Sequence, residues 1–433
     1  MILERMVVLQ NREQRLFRAP YWFNHNRVAQ RYEALFAGLD WEQVPEMDEK
    51  QVRRGRLPHP EAAYIKAHLV MVVEKQEYVS ELYKYLSEHP ALIWLLGFRL
   101  SPTNESNEEG FDVESSLPGE RYLRKKLCQL DGEVLSQLLG QTVKHAVAEI
   151  PALGKTVSVD TKHQYAYVKE NNPRAYVSEP FNPEHQPRGN GSCRLGAKRR
   201  TNQTTKDGKV SHKAEWLWGY GSGIAVSQTP DKDAIVLAEM TQTFDRNDVT
   251  YGLPLLRQAT QHLGFAPSNL AADAAFDAWH MYQWAVDQGG IAAIAPNHRG
   301  NPPTSLGPHD RPICACNGQE MNPRGTWREA GHREQRFLCS ACNKIRAMII
   351  EPGHLMRLRL DRDSDAYKAI YKQRTATERI NSRAAAFGIG RPKQHNAQAI
   401  AHRNTLIYIV INLRALARWR ARPLNSSLSL NSI

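Results

Sequence analysis

The order of strands and helices between residues 155 and 296 constrains the fold more than any other feature of this chain. Residues 155–168 alternate apolar and polar side chains and are rich in β-branched types, which predicts a strand. The patterns that follow predict strands at 216–227, 234–241, 268–272 and 291–296, with helices at 249–263 and 276–288. Three successive strands followed by alternating helices and strands predict an α/β fold, with a mixed sheet flanked by helices on both faces.

Two aspartates fall at strand positions where they can meet. Asp160 lies in the middle of the first predicted strand, and Asp273 ends the fourth. The first and fourth strands of such a sheet can be neighbours, which would bring the two carboxylates together. Converging buried carboxylates are costly without counter-charge, and a divalent cation supplies it. Asp277, on the next helix, is a competing candidate but is more typical of a surface acid.

The stretch 367–386 predicts one long helix that carries a third acid. It contains good helix formers and neither Gly nor Pro. Tyr371, Arg374 and Glu378 follow one another at spacings of three and four, so they share one helix face. An acid beside an arginine and a tyrosine suits a carboxylate that holds a metal next to a phosphate. The alternative is an exposed helix with an ordinary Arg374–Glu378 ion pair.

Taken in order, these segments resemble the DDE transposases of bacterial insertion sequences, whose catalytic core is ribonuclease H-like. The resemblance rests on VSVDTK, WLWGYGSGIAV, NLAADAAFDAW and IAAIAPNHRG, and on the signature Tyr371-x2-Arg374-x3-Glu378. It implies two-metal phosphoryl transfer with Mg²⁺ or Mn²⁺, in which Asp160 bridges both ions and Asp273 and Glu378 each hold one. It further implies double-stranded DNA as the partner (the element's terminal repeats and its target) and a homodimer in the synaptic complex.

One position departs from the family pattern. A basic residue usually follows the glutamate by seven positions, and here that residue is Ala385. Arg383 lies on another helix face, so Arg391 or Lys393 in the following loop would have to contact the phosphate. This departure leaves a second hypothesis open, namely a catalytically silent DNA-binding protein derived from a transposase. A ribonuclease H-like nuclease of another kind is a third hypothesis.

Four of the six cysteines predict a metal site between the fifth strand and the 367–386 helix. They form two close pairs, Cys314 with Cys316 and Cys339 with Cys342. Two such knuckles satisfy tetrahedral Zn²⁺, so residues 297–365 predict a zinc-ribbon-like insertion. Reduced structural cysteines are the alternative, and His332 is an alternative for one ligand. Trp327, among arginines, is a candidate for stacking on DNA bases, although an insertion also needs an aromatic core of its own.

The charge distribution indicates a polyanionic partner. The chain has a formal net charge of +12. Residues 188–213 hold eight Lys or Arg against one acid, and residues 346–422 hold sixteen against five. We expect Arg199 and Arg200, together with the C-terminal arginines, to contact DNA phosphates. The sequence lacks a long apolar run, a signal-peptide core and a lipidation motif, so we expect no membrane partner and a bacterial cytoplasmic protein that acts at the nucleoid.

The domain organisation follows from these segments. Residues 1–150 predict an all-α N-terminal domain for DNA binding or dimerisation, with a helical scaffold as the alternative. A loop at 40–58 carries the basic cluster Arg53, Arg54 and Arg56. Residues 151–422 predict the catalytic domain, interrupted by a long exposed basic loop at 171–215 and by the insertion at 297–365. Residues 423–433 predict a disordered tail.

Overall fold

A mixed sheet carries the acids that the sequence singles out. The computed structural model describes residues 21–46, 57–103, 110–204, 210–297 and 304–422. The strands of the sheet are β1 (Thr156–Tyr165), β2 (Arg194–Thr204), β3 (Val210–Gln228), β4 (Ala234–Thr243), β5 (Asn269–Ala272) and β6 (Ala292–Ile294). They are hydrogen-bonded in the order β2-β3-β1-β5-β6, and β4 also pairs with β3. The prediction of a mixed α/β sheet is confirmed.

The direction of each strand explains the neighbours of β1. Strand β3 is antiparallel to β1, β2 and β4, whereas β5 runs parallel to β1 and β6 runs parallel to β5. The expected contact between the first and fourth predicted strands is therefore present, as the β1–β5 pair. Val157 and Val159 of β1 are buried on one face of the sheet, and Ser158 and Asp160 alternate to the other.

The prediction of an exposed loop at 171–215 is wrong in its second half. Strand β2 lies inside this range, and β3 begins at Val210 rather than near residue 216. The two strands form a long hairpin with a register shift between Arg200 and Gln203. Backbone pairing stabilises β2, whose sequence RLGAKRRTNQT is too polar to show a buried face. The first half of the range folds over the buried side chain of Trp218, whose backbone is held on both sides by Asn171.

Helices dominate the described residues between 21 and 149. Those described are α1 (Tyr21–Asn24), α2 (Arg27–Phe36), α3 (Glu61–Val73), α4 (Val79–Glu88), α5 (Pro90–Leu96), α6 (Val113–Ser116), α7 (Glu120–Gln129) and α8 (Gly132–Glu149). Their core is continuous with the sheet, because one apolar cluster joins Phe36, Leu69 and Leu138 to Ile224 of β3. The predicted domain boundary near residue 150 and the proposed role of these helices stay predictions. Arg53, Arg54 and Arg56 lie outside the described residues, as do residues 423–433.

Helices cover both faces of the sheet. On the face of Val157, α8 packs together with α9 (Val249–Leu263) and α10 (Trp279–Asp287). After the insertion come α11 (Pro352–Arg359), α12 (Asp365–Tyr371), α13 (Thr375–Ala386) and α14 (Ala397–Arg420). Helices α13 and α14 cover the opposite face, where Ile380 and Leu406 join Val236 of β4 in one core. Within the described ranges, no helix has both the length and the apolar character needed to cross a bilayer.

The insertion forms a small sheet of its own. Strands β7 (Asn322–Glu329), β8 (His332–Leu338) and β9 (Ile345–Ile349) pair antiparallel in that order. Its apolar core is small and contains two of the four clustered cysteines, with Met321, Phe337 and Met348 beside Cys314 and Cys339. A core of this size needs a further cross-link for stability.

Candidate functional site: an acidic cluster on the central sheet

Strands β1 and β5 bring Asp160 and Asp273 to the same level of the sheet. The strands pair in parallel with Ser158 beside Ala271. Asp160 lies two residues after Ser158, and Asp273 lies two residues after Ala271. Asp273 keeps an extended backbone (φ −81°, ψ 179°), so both side chains leave the same face. Because neighbouring strands lie about 4.8 Å apart, the two aspartates are side by side.

The environment of this pair is short of positive charge. The pKa of Asp160 is raised to about 6, mainly by burial and secondly by the charge of Asp273. The hydrogen-bond donors to Asp160 are neutral, namely the backbone N–H of Thr161 and the side-chain amide of Asn381, each at 2.9 Å. Asp273 accepts a hydrogen bond from the backbone N–H of Ala275 at 2.9 Å. A divalent cation would supply the missing counter-charge.

Asp248 is a further acid near the pair, and the sequence analysis did not identify it. It occupies the N-cap position of α9 but makes no capping hydrogen bond. Its pKa is raised to about 6, mainly by burial and then by the charges of Asp273 and Asp160. Helix α9 covers the face of Val157 and Val159, which is opposite to the face of Asp160. Asp248, at the start of α9, therefore approaches the pair from the other side of the sheet. Its only signal in the sequence is an acid at the start of a helix, which looks like an ordinary cap.

Glu378 reaches this region on a helix that is divided rather than continuous. Helix α12 ends at Tyr371, a 3₁₀ turn follows at Lys372–Arg374, and α13 begins at Thr375. The prediction of one uninterrupted helix over 367–386 is therefore wrong. All residues at the turn are acceptable helix formers, so propensity gives no sign of the break. The backbone angles of Tyr371 and Arg374 remain helical, and the predicted stripe of side chains is preserved.

The side chain of Glu378 is held by an arginine. Arg374 Nη2 lies 2.7 Å from Glu378 Oε1, and the glutamate side chain is 54% exposed. Asn381, one turn further along α13, is the residue that donates to Asp160. Glu378 is thus one helical turn from a direct hydrogen-bond partner of Asp160. The charge of Arg374 partly offsets the effect of burial on the pKa of Asp160.

Tyr371 lies at the same end of the sheet. Its ring stacks on Tyr367 with a centroid distance of 5.5 Å and an interplanar angle of 11°. This pair packs beside Ala271 of β5 and Ala293 of β6. The guanidinium of Arg374 lies 5.8 Å from the centroid of the Tyr371 ring. Arg374 therefore lies against both other residues of the signature, and Tyr371 packs next to β5, the strand that ends just before Asp273.

The three carboxylates do not form a closed set of ligands. Among the described residues, one group of three or more His, Cys, Asp or Glu side chains has all its donor atoms within 4.8 Å, and it is the cysteine cluster. Glu378 contacts Arg374 instead of the aspartates. Repulsion between like charges opposes convergence until a cation neutralises it. The shared role of Asp160, Asp273 and Glu378 stays a prediction.

Asp277 is a structural acid and not a surface residue, contrary to expectation. Its side chain is fully buried and pairs with both arms of the Arg357 guanidinium, at 2.7 and 2.6 Å. The Tyr282 hydroxyl and the backbone N–H of Asn297 donate to it as well, at 2.9 and 2.8 Å. These donors hold the pKa of Asp277 below its usual value despite burial. Asp277 thereby joins the core to α11, the helix that follows the small sheet.

The other predicted phosphate ligands lie away from the acids. The Arg391 guanidinium is 5.3 Å from the ring centroid of Tyr165, at the far end of β1. Lys393 Nζ lies 3.6 Å from a carboxylate oxygen of Glu77. Arg199 and Arg200 belong to β2, but their side chains lie outside the described part of the chain.

Many of the C-terminal basic residues are occupied by intramolecular ion pairs. Those with a carboxylate partner are Arg357, Arg359, Lys368, Arg374, Arg383, Lys393, Arg418, Arg420 and Arg422. Asp233 alone binds Arg383 and Arg418. The expectation that the C-terminal arginines contact DNA phosphates stays a prediction. Their density reflects internal pairing at least as much as a polyanionic partner.

The four clustered cysteines form a geometry that zinc can occupy. The sulfur atoms of Cys314 and Cys316 are 3.3 Å apart, those of Cys316 and Cys339 3.5 Å, and those of Cys314 and Cys342 3.6 Å. Tetrahedral zinc with bonds of about 2.3 Å requires sulfur separations of about 3.8 Å, so the residues fit the ion. The backbone N–H groups of Cys342 and then Ala341 lower the pKa of Cys339 to about 6.

His332 and Trp327 have other partners. The imidazole Nε2 of His332 lies 3.0 Å from Glu334, and its ring contacts Trp279 of α10. His332 is therefore no substitute ligand for the cysteine cluster. The guanidinium of Arg336 lies 4.9 Å from the centroid of the Trp327 ring, across the β7–β8 pair. The role of Trp327 on DNA stays a prediction.

Comparisons with known proteins do not assign the chain to a family. No protein-family model matches the chain, and no curated protein matches it in sequence. Among solved structures, the chain is similar to a piggyBac transposase in the cryo-EM structure of its synaptic complex with hairpin DNA. That similarity has a TM-score of 0.33 and 10% sequence identity, and it covers 89% of this chain and 75% of the other. Any proposal for the function therefore rests on the geometry of the site.

Proposed function

We propose that this chain is a DNA transposase with a ribonuclease H-like core that binds the ends of an insertion sequence and cleaves and transfers DNA strands. The observation that carries the proposal is the in-register pairing of β1 with β5, which sets Asp160 beside Asp273 on the face covered by the helix of Glu378. The three antiparallel strands β4, β3 and β1, followed by the parallel strands β5 and β6, support such a core.

The chemistry of the acids suits Mg²⁺ or Mn²⁺. The donor set consists of carboxylate oxygens, which these hard cations prefer over the sulfur and nitrogen ligands typical of zinc. The pKa values of Asp160 and Asp248 are raised first by burial and then by the charges of neighbouring acids, so the ionised forms are costly without a cation. Asp160, Asp273 and Glu378 would hold the ions.

The protein's own groups would position the reacting strand. Arg374 would exchange its partner, leaving Glu378 and binding a phosphate oxygen of the DNA. Asn381 fixes the orientation of Asp160 through its hydrogen bond, so the carboxylate keeps one rotamer during turnover. When bound, divalent cations supply activation of the attacking water or 3′-hydroxyl and stabilisation of the leaving oxygen.

The remaining parts of the proposal concern partners. Double-stranded DNA, comprising the element's ends and its target, would bind to the basic surfaces, and two copies would form the synaptic complex. The cysteine cluster would hold one structural Zn²⁺, which stabilises the insertion without entering the chemistry.

A cleavage assay tests the function. Wild-type protein is incubated with a labelled duplex from the DNA that flanks the gene, in Mg²⁺, and binding is measured separately in Ca²⁺. We expect Glu378→Ala to bind the duplex as well as wild type but to cleave it more slowly by about a thousandfold or more. Glu88→Ala, at an exposed glutamate on α4, is the matched control and should cleave normally.

A silent DNA-binding protein is the second candidate, and two observations favour it. Ala385 lies where DDE transposases usually have a basic residue, and Glu378 is ion-paired with Arg374. Wild-type protein that binds the duplex but leaves it intact in both Mg²⁺ and Mn²⁺ would establish this alternative. Equal cleavage by wild type and Glu378→Ala would instead show that the catalytic helix is misassigned.

A further inference from the structure

A groove lies at the far end of β1, away from the acids. It has a volume of about 1420 Å³ and is bounded by residues 165–173, the start of β3 and the loop after α13. Hydrogen bonds hold its walls together. The backbone N–H of Tyr165 donates to Gly390 O at 2.9 Å, and the imidazole Nδ1 of His395 lies 2.8 Å from Gly189 O. The groove is thus formed by ordered segments of the described chain.

Large aromatic side chains are exposed in this groove. Tyr167 is 47% exposed, Trp216 is 49% exposed and Phe181 is 40% exposed, and all three line it. Soluble proteins rarely gather exposed aromatics at one place unless the surface binds something. The ring faces offer stacking surfaces, which nucleic-acid bases use irrespective of their sequence.

Cations alternate with these rings. Lys393 Nζ lies 4.6 Å from the centroid of Tyr167, and Arg391 lies over Tyr165. Arg188 and Lys169 also line the groove, and neither has an ion pair with a described residue. Of the two acids in the lining, Glu215 accepts a hydrogen bond from the Tyr165 hydroxyl at 3.1 Å. The surface therefore combines aromatic faces with positive charge, as single-stranded nucleic-acid sites do.

The size of the groove indicates an extended ligand. Small-molecule pockets usually measure about 300–1,000 Å³, and this groove is larger and open to solvent. Tyr165 lies five residues beyond Asp160 on β1, which corresponds to about 17 Å along the strand. That distance matches about five stacked nucleotides at roughly 3.4 Å each.

We propose that this groove binds an unpaired strand of DNA, with bases stacked on Tyr167, Trp216 and Phe181 and phosphates near Arg188 and Lys393. The expectation that a strand freed by cleavage at Asp160 would extend along β1 into the groove rests on the proposed function. The binding itself does not depend on cleavage and can be tested without it.

The experiment measures fluorescence anisotropy of a labelled oligothymidylate and of a duplex of equal length, with the full chain in Ca²⁺ and without Mg²⁺ or Mn²⁺. We expect wild-type protein to bind the single strand, and Tyr167→Ala and Trp216→Ala each to weaken that binding by roughly tenfold. Duplex binding should change by less than about twofold. Tyr176→Ala, at a fully exposed tyrosine of the same segment outside the groove, is the matched control and should leave both affinities unchanged.

A charge substitution provides an independent measurement. Arg188→Gln should lower the slope of log affinity for the single strand against log salt by about 0.7, the value for one phosphate contact. Arg174→Gln, at an exposed arginine that does not line the groove, should leave the slope unchanged. Trp216→Phe keeps an aromatic face and should restore single-strand binding, which separates stacking from misfolding.

The outcomes distinguish the groove from the enzyme. Unchanged single-strand binding in the Tyr167 and Trp216 variants would overturn the assignment of the groove as a single-strand site, and so would an equal loss of duplex binding. Either result would count even if wild-type protein cleaves DNA. Selective loss of single-strand binding would support the groove even if wild-type protein never cleaves, in which case the proposed function fails and the binding site remains.

Discussion

The acidic cluster and the cysteine cluster assemble their ligands in different ways. The four sulfur atoms come from two short knuckles and already lie within 4.8 Å of one another. The carboxylates of Asp160, Asp273 and Glu378 come from two strands and a helix, and one of them is held by Arg374. Ionised carboxylates repel one another. Glu378 is paired with Arg374 rather than with the aspartates, whereas the four sulfur atoms lie at separations close to those that tetrahedral zinc requires.

This difference also determines what each metal would contribute. Zinc at the cysteines would cross-link a small sheet whose core consists of few residues, so its removal should affect folding of the insertion. Divalent cations at the acids would add little to a sheet already buried between two layers of helices. The first site is expected to be structural and the second chemical.

The largest expected effect concerns zinc. Wild-type protein should carry about one zinc per chain, and Cys316→Ser should weaken zinc binding by more than about a hundredfold, because even loss of a residue that only orients a ligand costs about 10–100-fold. Metal analysis after dialysis against a weak chelator measures this. Cys128→Ser, at a half-buried cysteine outside the cluster, should retain the metal. If wild-type protein prepared in the absence of chelator contains no zinc, the cysteine cluster is not a structural zinc site.

The second effect concerns the attachment of the insertion to the core. Asp277→Asn leaves Arg357 without its charged partner, and we expect a loss of about 3 kcal/mol in the free energy of unfolding. Urea denaturation followed by circular dichroism measures it. Asp287→Asn, at the exposed last residue of α10, should change the stability by less than about 0.5 kcal/mol. A similar small effect for both variants would mean that the Asp277–Arg357 pair does not anchor the insertion.

The third effect concerns the pH dependence of stability and a buried acid outside the acidic cluster. Glu239 of β4 accepts a hydrogen bond from the Thr405 hydroxyl, and burial raises its pKa to about 7 from an ordinary value of 4.5. Between pH 4.5 and 7 the folded state holds the proton that the unfolded state has released, so stability should fall as pH rises through this window. Each pKa unit corresponds to about 1.4 kcal/mol. Thermal unfolding of wild type and Glu239→Gln measures this, and the variant should show a flatter pH profile. Identical profiles would exclude a raised pKa at Glu239.

The smallest effect concerns Arg374. Its exposed pair with Glu378 should contribute about 0.3–0.5 kcal/mol, so Arg374→Gln should barely change stability. Release of Glu378 should strengthen Mn²⁺ binding by about twofold, because the arginine no longer competes with the cation. Isothermal titration with Mn²⁺ tests the sign of the effect. Weaker Mn²⁺ binding in this variant would mean that Arg374 supports the metal site rather than competing with it.

The sequence predicted the central sheet well because its signals are local. Helix α9 occupies the predicted residues 249–263, and β4 and β5 differ from the predicted ranges by only one or two residues. The alternation around Asp160 identifies β1, and the strand order follows from general rules of connection. Strand β2 was missed because its stability comes from pairing with β3 and not from an apolar face.

The parts of the site that depend on long-range contacts could not be predicted. Asp248 resembles an ordinary helix cap, and only the folded chain brings it near Asp273. Asn381 is an unremarkable polar residue until α13 packs on β1. Asp277 was misread as a surface acid because its partner Arg357 is 80 residues away in the chain. Ion pairing of the C-terminal arginines is equally invisible to a count of charges.

We expect Asp160, Asp273 and Glu378 to converge on divalent cations, and this expectation is central to the proposed function. Mn²⁺ titration followed by electron paramagnetic resonance tests this directly. Wild type, Asp160→Asn and Cys316→Ser are each incubated with zinc first and are then compared in the same buffer. We predict saturable Mn²⁺ binding to wild type, a loss of affinity of about a hundredfold or more in Asp160→Asn, and wild-type behaviour in Cys316→Ser. Equal Mn²⁺ affinity in wild type and Asp160→Asn would contradict the claim.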